Sequence, residues 1–107
     1  MPDIIRKHLV LSGAVQGVGL RYRTHYLGES LGLSGWVRNL PDGEVEMELE
    51  GEEEKIDLLL QQLQQSPYIN ITFLSAKTVP LSGGYGIEIL DLYSSFPQKE
   101  RLNIITC

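Results

Sequence analysis

Apolar and polar positions change their spacing several times along the chain, and each change marks an element. Residues 7–12, with Leu9, Val10 and Leu11, read as a short buried strand that ends at Gly13. A helical spacing takes over at residues 21–31, where Tyr22, Tyr26, Leu27 and Leu31 fall on one side and Gly32 supplies a stop. Those four side chains are expected to face the core. Gly28 lies inside this helix at a cost of about 1 kcal/mol relative to Ala, which points to a close backbone approach or to simple tolerance.

Residues 35–39 form a second strand, and Leu40-Pro41-Asp42-Gly43 is a strong turn signal between antiparallel strands. The return strand alternates without a fault: Val45, Met47 and Leu49 face a core, while Glu44, Glu46, Glu48 and Glu50 face water. After Gly51, the acids Glu52, Glu53 and Glu54 suit the first turn of a second helix, whose stripe is Ile56, Leu59, Leu60 and Leu63. Residues 71–79 and 85–92, separated by Pro80-Leu81-Ser82-Gly83-Gly84, read as strands.

The order β-α-β-β-α-β plus an extra C-terminal strand predicts an α+β, ferredoxin-like split β-α-β sandwich, with two helices on one face of an antiparallel sheet. Residues 1–92 make the domain. Residues 93–107 are an extension of unknown role, in which 102–106 is either an added edge strand or part of a disordered tail.

With 107 residues the chain has room for one core and no second domain. No apolar run approaches the roughly 18 residues of a membrane span, and the first residues lack the apolar centre of a secretion signal, so a cytoplasmic protein that engages no membrane is expected. The single cysteine, Cys107, is the last residue and has no internal partner. Residues 1–39 hold five Arg or Lys against two acids, and residues 40–107 hold four against twelve. An acidic total argues against nucleic acid as a partner, while the basic first part still allows a local pocket for a small anion.

That pocket has a candidate in the stretch GAVQGVGLR, residues 13–21. Gly17 and Gly19 permit backbone conformations closed to other residues, so the N–H groups of Val15, Gln16, Gly17, Val18, Gly19 and Leu20 can turn toward one oxyanion, beside a helix N-terminus. Neither a Walker loop nor a dinucleotide fingerprint fits, because no Gly-Lys-Ser or Gly-Lys-Thr occurs and the glycine spacing is G-x-x-x-G-x-G. An ordinary strand-to-helix turn is the bland alternative.

Taken together, GAVQGVGLR and GWVRNLPDG (residues 35–43) resemble the acylphosphatase signature, and the likeness extends over residues 6–91. The resemblance implies hydrolysis of the carboxyl-phosphate bond of small acyl phosphates without metal or cofactor. It matches Arg21 to the family's phosphate-binding arginine and Asn39 to its water-positioning asparagine. Two positions depart from the family pattern: Leu20 stands where Phe is usual, and Gly28 where many members have Ala, with the expectation that Gly28 loosens the helix carrying Arg21. The tail also runs past the family's usual end.

The residues reach a compatible answer on their own chemistry. A guanidinium stays charged and can hold two phosphate oxygens, and the loop amides can take the others. Asn39 cannot act as a base, so its useful role is to hold a water in line with the breaking bond. Without a metal cluster, a nucleophilic cysteine motif or a general acid, the leaving group must depart unassisted, which a carboxylate with a conjugate-acid pKa of about 4 can do and an alkoxide cannot. Phosphate or sulfate is expected as a site ligand and the protein as a monomer.

His25, one turn beyond Arg21, reads as a solvent-facing histidine, and alternation turns Trp36 and Arg38 away from Asn39 toward the outer sheet face. Arg23 reads as a surface residue. Competing with the hydrolase are a non-catalytic anion-binding or protein-interaction module of the same fold and, against the glutamate row, a single-stranded RNA binder.

Overall fold

The computed structural model describes residues 3–90. Its elements are β1 (Ile4–Ala14), α1 (Leu20–Leu31), β2 (Ser34–Asn39), β3 (Val45–Glu52), α2 (Glu53–Gln64), β4 (Asn70–Val79) and β5 (Gly86–Ile89). The proposed extension at 93–107 and the candidate strand at 102–106 lie outside the described residues. One sheet runs in the order β4-β1-β3-β2-β5.

The ferredoxin-like order is present, but the sheet is mixed, because β5 lies parallel to β2 while every other pair is antiparallel. Geometry dictates this. Val79 at the end of β4 is opposite Arg6, Arg6 is opposite Glu50, and Glu50 is opposite Ser34 at the start of β2. The loop after β4 therefore crosses one end of the sheet and delivers the next strand in the direction of β2.

Strand alternation puts Leu9, Leu11, Val37, Val45, Met47 and Leu49 on the face covered by the helices, each fully buried with Ile56, Leu59 and Leu63 of α2. Each such burial contributes about 1.5–3 kcal/mol.

On α1 the buried row is Leu20, Thr24 and Gly28. Leu27 and Leu31 pack partly against the core, but Tyr22 and Tyr26 are exposed at 60% and 65%, contrary to the face their spacing predicts. Small residues at the second and third positions of this row, Thr24 and Gly28, let the helix axis come close to the sheet, and Thr24 hides its hydroxyl by donating to the Leu20 carbonyl at 2.8 Å. A tyrosine row would hold the helix off.

The outer face also differs from expectation. The glutamates of β3 do not simply face water, since β3 is the central strand and cations on both neighbours reach across it. Arg6 Nε donates to Glu48 Oε1 at 2.6 Å and its Nη1 to Glu50 Oε1 at 3.1 Å. Glu46 is held by His8 Nε2 and by Arg38 Nε, both at 2.7 Å. Trp36 covers this face as expected, 7% exposed, with the Arg38 guanidinium 5.6 Å from its ring centre.

Candidate active site

β1 gives way to the glycine loop through a bulge, its register with β4 shifting between Ser12 and Gly13. Val15 and Leu20, each 1% exposed, sink into the core at either end of residues 15–20, and Val18 packs against the same cluster. Leu20 thus fixes the loop rather than freeing it. Between these anchors Gly17 and Gly19 take φ of 72° and 79°, left-handed values that cost glycine nothing. A Cβ on either would meet nothing within 4 Å, so conformation and not crowding selects glycine there.

Gly19 is the N-cap of α1, without a capping side chain. Its carbonyl accepts the Arg23 N–H at 3.0 Å, but among the described residues the main-chain N–H groups of residues 16–20 reach no protein acceptor. Unused amides at the positive end of a helix form a region that favours an anion. Arg21 follows in the first turn, half-buried, and among the described residues its guanidinium makes no hydrogen bond or ion pair. All five of its donors are uncommitted.

Asn39 ends β2 on the same face as the buried Val37. Its Oδ1 is buried and accepts no hydrogen bond among the described residues. An acceptor left so costs about 1–3 kcal/mol, which a folded chain tolerates where the atom has a ligand to meet.

One side chain, absent from the sequence reading except as a backbone donor, joins the two halves of the site. Gln16 Nε2 donates to both the Leu40 carbonyl and the Glu44 carbonyl at 2.7 Å. These carbonyls close the β2–β3 turn, in which Leu40 N–H donates to Glu44 O at 2.8 Å and Gly43 N–H to Leu40 O at 3.2 Å. The glycine loop is thereby fastened to the residue next to Asn39. No periodicity connects positions 24 and 28 apart, so no sequence pattern points to this contact.

His25 is not solvent-facing. Its Nδ1 lies 2.7 Å from the Ile87 carbonyl, which can only accept, so the ring donates there and ties α1 to β5. Arg38 and Trp36 stay on the outer face, and Arg23 donates to the Gln62 carbonyl at the end of α2. Two surface hollows, on α2 around Glu54 and Leu58 and beside β5 around His25 and Ile87, involve neither the loop nor Asn39. Among the described residues no group of three or more His, Cys, Asp or Glu is arranged to hold a metal ion, and no helix is long and apolar enough to cross a membrane.

Free amides and an uncommitted arginine suit an oxyanion, and a buried, unpartnered amide oxygen suits a hydrogen-bond donor. The family model of acylphosphatases matches residues 7–85. This chain belongs to the acylphosphatase family. It is 55% identical over 67 residues to the acylphosphatase of Acaryochloris marina, covering 63% of this chain and 72% of that one. To the acylphosphatase of Thermococcus kodakarensis it is 38% identical over 87 residues, 80% of this chain and 96% of that one. The crystal structure of acylphosphatase from Bacillus subtilis superposes with a TM-score of 0.74 at 30% identity, over 82% of this chain and 99% of that one. The reaction of this acylphosphatase is hydrolysis of the carboxyl-phosphate bond of a small acyl phosphate, giving a carboxylate and inorganic phosphate.

Proposed function

We propose that the phosphoryl group of the acyl phosphate is held by the amides of residues 16–20 and by Arg21, and that Asn39 holds the attacking water; the Val15 N–H, expected to join them, is taken by the Gly13 carbonyl at 3.0 Å. The observation that carries this reading is the buried, unpartnered Oδ1 of Asn39, positioned one residue from the carbonyl that Gln16 grips. As an acceptor it takes one O–H of a water and leaves a water lone pair free for phosphorus.

Water oxygen then bonds to phosphorus as the bond to the carboxylate oxygen breaks, and that electron pair leaves on the carboxylate. The water's proton passes to a phosphate oxygen or to solvent. Charge spread over the three phosphoryl oxygens is met by N–H donors and by a guanidinium that cannot lose its proton. No acid is required, because the leaving group is already a weak base.

Inorganic phosphate is itself a product of the reaction and occupies the same cradle. Both residues and the loop come from one chain, so a monomer is sufficient. The test is benzoyl phosphate hydrolysis in the presence of a chelator. Arg21→Ala is expected to lose nearly all turnover, and Asn39→Ala on the order of 10²-fold, the scale of one lost preorganised contact. Equal activity in wild type and Arg21→Ala ends the proposal.

A further inference from the structure

We propose that Gln16 is a positioning residue for this reaction: its side-chain amide sets the distance between the phosphate-holding loop and the water-holding Asn39. The inference rests on the site reading above and adds a part that reading does not contain.

Gln16 sends both N–H donors of one nitrogen across to another element, to Leu40 O and Glu44 O at 2.7 Å each. Two donors on one planar amide fix its orientation as well as its distance. The acceptors are the first and last residues of the turn that follows Asn39, and they bond to each other through Leu40 N–H and Glu44 O. Gln16 therefore grips a closed ring. On the other side it is the neighbour of Val15, which is 1% exposed and anchored in the core, and of Gly17, where the loop turns. A rotation of the loop would have to break both bonds.

In-line attack requires phosphorus and water at a set separation, and the two are held by segments 18 or more residues apart in the sequence. Among the described residues Gln16 ties them by hydrogen bonds, alongside the β1–β3 pairing beneath, which ends at Leu11 and Val45, and the Ser12 hydroxyl bonded to the Glu44 carboxylate. It is also the only one of these that starts inside the loop. Removing it leaves the amides, Arg21 and Asn39 in place but lets the loop and the turn move separately. The consequence is specific: phosphate affinity, which needs only loop and arginine, is kept, while turnover falls.

The test uses Gln16→Met, close in size but without donors, alone and combined with Asn39→Ala, with Arg21→Ala as control. Thermal melts confirm folding, and Gln16→Asn, which withdraws the donor by about one methylene, carries the test if Gln16→Met does not fold. We expect kcat to fall about 10- to 100-fold, as for a reactant displaced by about 1 Å, with the phosphate inhibition constant within about threefold of wild type. In the Asn39→Ala background the same change is expected to cost little more, because there is no held water left to misplace. Wild-type kcat in Gln16→Met, or an undiminished loss in the Asn39→Ala background, overturns the role of Gln16 while leaving the site reading intact. Full activity in Arg21→Ala overturns both.

Discussion

Gly28→Ala is a substitution for which local propensity and tertiary packing predict opposite signs. In an isolated helix it is worth about 1 kcal/mol in favour of Ala. In this fold an added Cβ would lie 2.2 Å from Ile87 Cδ1 and 2.7 Å from Cγ1, against an ordinary carbon contact of about 3.5–4.0 Å. Ile87 is 1% exposed and β-branched, so its χ1 is restricted, and turning χ2 moves Cδ1 but leaves Cγ1 in the overlap. The helix or β5 must move by about 1 Å, and overpacking of that kind costs about 1–3 kcal/mol. Subtracting the propensity gain leaves a net loss of about 1 kcal/mol, or about 5 °C in Tm for a domain of this size. Ile87→Val alone should cost about 0.5–1.5 kcal/mol as a lost methylene, but in the Gly28→Ala background it removes the worst overlap and should cost nothing or restore stability. Urea unfolding followed by the fluorescence of the single tryptophan, Trp36, measures all four proteins. A Gly28→Ala protein about 1 kcal/mol more stable than wild type, or two changes additive within about 0.5 kcal/mol, would refute the reasoning.

Two further outcomes follow from the structure. Burial alone would raise the Glu50 carboxyl, but the N–H groups of Ser82 and Gly83 and the Arg6 guanidinium outweigh it and hold the group below its ordinary value of 4.5. A lowered folded value means the unfolded chain binds more protons, so the contribution is complete above about pH 4.5 and is lost as pH falls below it. Melting curves from pH 6 down to 3 should show the gap between wild type and Glu50→Gln closing in that acid window; a constant gap refutes the account. Gly19→Ala places a side chain at φ 79°, which costs about 1–2 kcal/mol although no atom is struck, and it should also weaken phosphate inhibition because the cap and its amides must turn. Unchanged stability and inhibition would show that the left-handed cap is dispensable.

The parts legible in the sequence are those in which one residue type repeats at a fixed period. The alternation of Val45, Met47 and Leu49 with four glutamates placed β3 and its buried face, and the Pro41-Asp42-Gly43 turn placed the hairpin whose first strand ends at Asn39. Glycines at 17 and 19 marked the loop because left-handed backbone has few other occupants. Where a period was misread, packing had overridden hydrophobicity: α1 buries Thr24 and Gly28, which register as polar or neutral, and exposes Tyr22 and Tyr26. The glutamate row was read as solvated because its partners, Arg6, His8 and Arg38, lie on two other strands. Charge neutralisation across a sheet depends on register, and register is not written in either strand alone.

The supports of the site were invisible for a further reason, which bears on how such a fold tolerates change. Gln16 bonds to the carbonyls of Leu40 and Glu44, His25 to that of Ile87, and Arg23 to that of Gln62. Each fastens the loop or α1 to a neighbouring element through main-chain oxygen. Every residue type presents that oxygen, so the partner position is free to vary and leaves no matching residue in the sequence. Only the donor is constrained, and in each case it sits within the loop or the first two turns of the helix that carry the proposed phosphate contacts. A site held this way depends on its own short segment for identity and on the rest of the sheet merely for shape. Substituting Leu40 or Gln62 should therefore leave the geometry of Arg21 and Asn39 intact so long as the backbone keeps its course, whereas a change at Gln16 should not.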